Sequence, residues 1–229
     1  MKRYLIRFTK QGLVRYTSHL DMMRLFQRAF KRGNIRLAYS SGFSPHPKIS
    51  FAHPLSLGFT SCGEYLEIVC SEAYDSSAIR EALNRSFPVG IEATFCKEIP
   101  EQGKTMASLV RWASYHITIP VGDHPEGQRF LDYTDQTAMI GRKRKKGSED
   151  MVEVDMKPLI HSVAVVSDNA SGLSLDIVVN AGSTANLNPE VLLHGFLDAV
   201  QREDLFPFVH FERTDLFDEN VISLWDIFN

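Results

Sequence analysis

The side chains best suited to chemistry lie in the first quarter of the chain. His46 sits in the string Gly42-Phe43-Ser44-Pro45-His46-Pro47-Lys48, with His53 shortly after it and His19 upstream. A histidine pair beside a lysine can cleave RNA without a metal. One group takes the proton of the 2′-hydroxyl and another protonates the leaving oxygen. The same residues can instead donate hydrogen bonds to phosphate. Binding is the better reading, because no carboxylate in the local sequence would orient the His46 ring. Pro45 and Pro47 stiffen the backbone on both sides of His46. Gly42 permits close backbone approach, Phe43 can stack on a base, and Lys48 can meet a phosphate. The plainer alternative for this string is a rigid crossover between two strands.

A second set is cationic. Arg24, Arg28, Lys31 and Arg32 are spaced i, i+4, i+7 and i+8, which lines them along one side of a helix. Four cations within about two turns would release counterions on meeting a polyphosphate backbone. A solvated helix face is the competing explanation. Arg15 and Arg36 flank the stripe and extend the candidate set. The charge of the whole chain supports an anion-facing surface. Its net charge is only −3, yet residues 1–50 carry eleven Lys or Arg and a single acid, Asp21. The remainder is acidic, an asymmetry expected of a nucleic-acid partner.

Other chemistries find little support. The three cysteines, Cys62, Cys70 and Cys96, form no disulfide framework and no cluster-binding triplet, which fits a reducing cytoplasm. Cys62 reads as a structural thiol, and Ser18-His19 reads as a helix cap. Gly103-Lys104-Thr105 lacks the earlier glycine of a phosphate loop. No carboxylate or cysteine lies at a familiar zinc spacing from the histidines, so no metal and no cofactor is expected. No window is apolar enough to span a membrane, and the first residues read as a strand instead of a signal peptide.

These residues need a scaffold. Alternation over 4–8 predicts a strand. Ser18 with Asp21 predicts a capped helix over 19–32, with Gly33 at its C-terminal stop. A short strand over 34–40, the loop 41–51, a strand over 65–70, a helix over 76–84 and a strand over 91–98 follow. That order is β-α-β-β-α-β. A second round follows: a strand over 109–119, a helix over 124–137, strands over 151–166 and 173–180, a helix from Asn188-Pro189 to Val200, and a strand over 208–213. The fold class expected is α+β, as two tandem ferredoxin-like domains over 1–104 and 105–229. The basic run 142–146 reads as an exposed hairpin. The tail after Asp215 carries Ile222, Leu224, Trp225, Ile227 and Phe228, and apolar residues at that density dock on the chain's own body or on a partner.

The block RYTSHLDMMRLFQRAFKRGNIRLAYSSGFSPHPKISFAHPLSLGFTSCGEYLEI, residues 15–68, closely resembles a bacterial family of unknown function, the radical-SAM-linked family. Its members are encoded beside, or fused to, radical SAM proteins with cobalamin-binding-like segments. SHLDMMR, GFSPHPKISF and the step Gly63-Glu64 carry the resemblance. It implies a radical SAM partner, which would supply its own cluster and reductive chemistry, but no activity for this chain. The chain is more faintly similar to RNA-binding repeat-processing proteins of CRISPR systems, though it lacks their C-terminal glycine-rich loop. The reading that joins these strands is an RNA-binding accessory protein presenting a substrate to a radical SAM partner. A metal-independent ribonuclease or RNA-modifying enzyme using His46, and a protein-interaction scaffold, are the alternatives.

Overall fold

The computed structural model describes residues 1–122, 126–144 and 150–228. It is a mixed α+β protein whose strand pairs are mostly antiparallel. It divides into two compact units, Met1–Val110 with Arg213–Asn229, and Arg111–Glu212. No described helix is long and apolar enough to cross a membrane.

Unit 1 runs β1 (Lys2–Lys10), α1 (His19–Arg32), β2 (Ile49–Phe51), β3 (Thr60–Cys70), α2 (Ser76–Ser86), β4 (Ile91–Ile99) and the short α3 (Met106–Leu109). Its sheet has the order β4-β1-β3-β2, each pair antiparallel. Tyr4, Ile6 and Phe8 of β1 point to the helices, where Phe26, Phe30, Leu66, Ile68, Ile79 and Leu83 complete the core. Phe26 is its aromatic hub, in edge-to-face contact with Phe8, Phe51 and Phe87.

The helix α1 starts and stops where the sequence predicts. Ser18 Oγ accepts from the Asp21 N–H at 3.2 Å and donates to the Asp21 carboxylate at 2.8 Å, so Ser18 is a cap. Its stop differs in detail. Gly33 has φ −76°, and Asn34 takes the left-handed turn at φ 55°. Gly33 is small for another reason: a Cβ there would lie 3.0 Å from Ala82 Cβ, where α1 crosses α2. The buried stripe of α1 is Met22, Phe26, Ala29 and Phe30. Met22 is buried and Leu20 is 67% exposed.

The strand expected over 34–40 does not form. Residues 37 and 39 make only isolated bridges, to Cys70 and Pro47, and the paired strand is β2 at Ile49–Phe51. The end of the segment expected as a loop over 41–51 is instead a strand, because Ile49–Phe51 pairs with Leu66–Ile68 of β3.

Unit 2 runs β5 (Trp112–Ile119), α4 (Gly127–Thr134), β6 (Ile140–Arg144), β7 (Met151–Asp155), β8 (Ile160–Asn169), β9 (Gly172–Asn180) and α5 (Pro189–Ala199), and β10 (His210–Phe217) starts in it. Antiparallel pairing gives β5-β9-β8. Ala113, Tyr115, Ile117 and Ile119 alternate inward along β5, which starts at Trp112 and not at the expected 109, because Met106–Leu109 form α3. The single strand expected over 151–166 is two. β7 pairs with β6 in a separate hairpin, a turn at Lys157–Leu159 intervenes, and β8 joins the sheet. Lys145 and Lys146 of the basic run lie outside the described residues.

Candidate nucleic-acid interface

The cationic face of α1 borders a groove of about 790 Å³ in unit 1. Arg24, Arg28 and Lys31 line it from the helix, Arg36 from the segment after the helix, and Tyr39 and Pro47 from the base of the following loop. The helix periodicity puts the first three side chains on one stripe. Asn34's left-handed turn then carries Arg36 back along the same side. All four cations are exposed. Arg24 is held to Asp21 at 3.1 Å, and Arg36 lies 3.9 Å from Glu72, both in water, where such pairs contribute little.

The loop 40–46 stands beside this groove and is pinched at its base. Ser40 N donates to His46 O at 2.8 Å, and His46 N donates to Ser40 Oγ at 3.0 Å. Lys48 N donates to Ala38 O at 2.8 Å and leaves the Lys48 side chain exposed. Gly42 at φ 135° turns the loop, and a side chain there would be strained. Phe43 at the apex is fully in water, with relative exposure of 109%. The His46 ring is exposed and, among the described residues, has no hydrogen-bonding partner. Among the described residues no carboxylate holds it as a general base would be held.

Arg15 and Arg32 lie away from the groove lining. Arg15 stacks its guanidinium over Tyr16, 4.8 Å from the ring centroid, and donates to the Tyr16 hydroxyl at 2.8 Å. Arg32 donates to Ser86 O at 2.7 Å, at the end of α2. Sequence reasoning missed Tyr39, which is 57% exposed in the groove. A tyrosine in a segment read as a strand carries no mark of exposure.

A second constellation is buried. Arg213 is wholly enclosed and donates through Nε to Glu64 Oε1 at 2.7 Å, with a second bond to Oε2. Its remaining donors reach Pro54 O, His53 O and His53 Nδ1 at 3.0–3.1 Å. His53 Nδ1 thus lies between a donor, Arg213 Nη1 at 3.1 Å, and an acceptor, Pro54 O at 2.9 Å. Burial first, and Arg213 second, push the His53 pKa down to about 4. His53 is neutral near pH 7 and serves the structure. Lys10, also buried, donates to Arg15 O and Thr17 O, and burial lowers its pKa. Lys10, His19, His53 and Glu64 meet at a cavity of about 20 Å³, about the space of one water. Gly63 explains its own place beside Glu64. A Cβ there would lie 2.0 Å from Thr214 O, so only glycine lets this backbone reach Arg213.

Much of the block 15–68 is therefore built around either the groove or this buried pair. Residues 3–189 match the family described as "Uncharacterized protein conserved in bacteria (DUF2344)". The chain belongs to this family. No curated protein matches the chain. Among solved structures, a chain of the crystal structure of a Cbf5-Nop10-Gar1 complex aligns with TM-score 0.52 at 13% identity, over 97% of this chain and 53% of that one. A chain of an H/ACA RNP bound to a substrate RNA containing 2′-deoxyuridine aligns with TM-score 0.46 at 13% identity, over 97% and 51%. This family member thus spans about half the length of those chains, and the likeness to the first is one of fold.

Proposed function

We propose that this protein is an RNA-binding accessory protein that presents a substrate to a radical SAM partner. The observation that carries the RNA part is the groove. It gathers Arg24, Arg28, Lys31 and Arg36 around exposed Tyr39, beside a loop that holds Phe43 and Lys48 in water. Cations that track a phosphate backbone, next to rings on which bases stack, are the two parts of a single-strand site. Arg15 and Arg32 take structural contacts instead. His46 offers phosphate a hydrogen bond at the loop base.

Each unit is read as ferredoxin-like. The order β4-β1-β3-β2 with two helices on one face supports this for unit 1. The set β5-β9-β8 with α4 and α5 supports it for unit 2. In this reading the first domain runs over 1–104 and the second over 105–229, with the tail returning to pack against the first. The partner rests on the resemblance of residues 15–68 to the radical-SAM-linked family. A radical SAM enzyme brings its own reactive centre and needs only a bound, positioned substrate.

The test is a salt series with a labelled single-stranded RNA. The triple reversal Arg24→Glu, Arg28→Glu and Lys31→Glu should weaken binding and flatten the salt dependence by about 0.7 per lost phosphate contact. Reversal of the 142–146 run is the control. Binding by the triple variant that matches wild type at every salt concentration refutes the groove.

A further inference from the structure

The face of the unit 1 sheet turned away from α1 and α2 carries residues that a nucleic-acid reader would use. Register places Tyr65, Arg7 and Phe95 side by side across β3, β1 and β4. Lys97 lies two residues on from Phe95, opposite Leu5 and on the same face. The row is an arginine between two aromatic rings, on adjacent strands of one sheet. The Arg7 guanidinium leans over Tyr65, 5.9 Å from its centroid. Its Nε is buried and, among the described residues, has no hydrogen-bond partner. A buried donor without an acceptor is costly unless something supplies one.

The chain's own tail covers this row. Ser223 Oγ lies 3.2 Å from the Tyr65 hydroxyl, and Trp225 packs on Phe95 with centroids 5.0 Å apart. Lys97 Nζ sits 4.0 Å from the Trp225 ring centroid and donates to the Trp225 carbonyl. Residues 223–225 therefore span from Tyr65 to Phe95, across Arg7. Trp225 occupies the place, between a ring and a cation, that a nucleobase takes in a stacking site. The tail satisfies Lys97 but not Arg7. It also enters through Val221, a β-branched residue held at φ 61°, a strained left-handed conformation.

We propose that this sheet face is a second single-stranded nucleic-acid site, in which Trp225 holds the place of a base and is exchanged for one when RNA binds. The incoming base stacks on Phe95 under Lys97, and its carbonyl oxygen accepts from Arg7 Nε. Leu224, fully buried, keeps the tail folded in the free protein. Exchange moves Trp225 about the turn at Val221.

Trp225 and Trp112 are the only tryptophans, so the full-length Trp112→Phe protein reports on Trp225 alone. Addition of an oligouridylate should shift its emission to the red as the indole leaves Phe95 and Lys97. Trp225→Ala should bind the same oligouridylate about tenfold more tightly, and Phe95→Ala in that background should remove the gain. Gain that survives charge reversal of Arg24 and Arg28 belongs to the sheet face and not to the groove. An unshifted Trp225 emission at oligouridylate concentrations that saturate the groove overturns the proposal. So does a folded Trp225→Ala that binds no tighter. If Trp225→Ala does not fold, the emission result alone decides.

Discussion

The basic residues of unit 1 fall into two regions that treat charge in opposite ways. Along α1, the cations stand in water around an open groove, paired weakly or not at all. Inside the unit, Arg3, Lys10 and Arg213 are buried and hydrogen-bonded. Arg3 donates to Glu67 at 2.8 Å and to Pro100 O at 2.8 Å, while the Met106 N–H donates to the same carboxylate, fixing the strap over 100–106. Arg213 grips Glu64 and the 53–54 turn. The comparison shows that a count of positive charge overstates the surface. Part of the basic N-terminal quarter holds the fold, and the remainder meets the solvent.

The largest effect should come from breaking the buried region. Arg213→Ala leaves Glu64 enclosed and unpaired, which should cost about 3–5 kcal/mol in urea or thermal unfolding. Removing both partners with Arg213→Met and Glu64→Leu should restore part of that loss. If Arg213→Ala melts like wild type, the contrast between the two regions fails.

Next is the acid limb of stability. The folded His53 pKa, about 4, lies below its ordinary value near 6.5. Between those values the unfolded chain binds the proton and the folded one does not. Stability should therefore fall as pH drops from about 6.5 to 4, by up to about 3 kcal/mol. His53→Gln should flatten that slope, measured as unfolding free energy against pH.

The groove should respond in the reverse manner. Phe43→Ala should lower affinity for single-stranded RNA by about 1–3 kcal/mol with no change in melting temperature, since the residue stands fully in water in the free protein. A melting change without an affinity change would make Phe43 structural. The smallest effect is expected at His46→Ala. Affinity should fall a few-fold, with no RNA cleavage to lose. RNA cleavage by the wild type without metal, abolished in a tightly binding His46→Ala, would instead restore the ribonuclease reading.

Local signals were enough for much of this protein. The Ser18 cap, the period of Arg24, Arg28 and Lys31, and the alternation in Tyr115, Ile117 and Ile119 specify their elements, because each depends on neighbours within a few residues. The loop around His46 was legible for the same reason, as its prolines and Gly42 set the backbone locally. Other features required the tertiary structure. Residues 34–40 read as a strand and 41–51 as a loop, yet the ladder of β3 takes Ile49–Phe51. Arg24 and Arg32 share a stripe in sequence, yet Arg32 is drawn to the end of α2 at Ser86. Gly63 and Glu64 mean nothing until Arg213 arrives from far along the chain. Trp225 and Phe95 meet only because the tail returns to unit 1. Periodicity and capping act through adjacent residues and can be read from sequence. Burial, charge pairing and ring stacking depend on contacts between distant segments, which only the folded chain brings together.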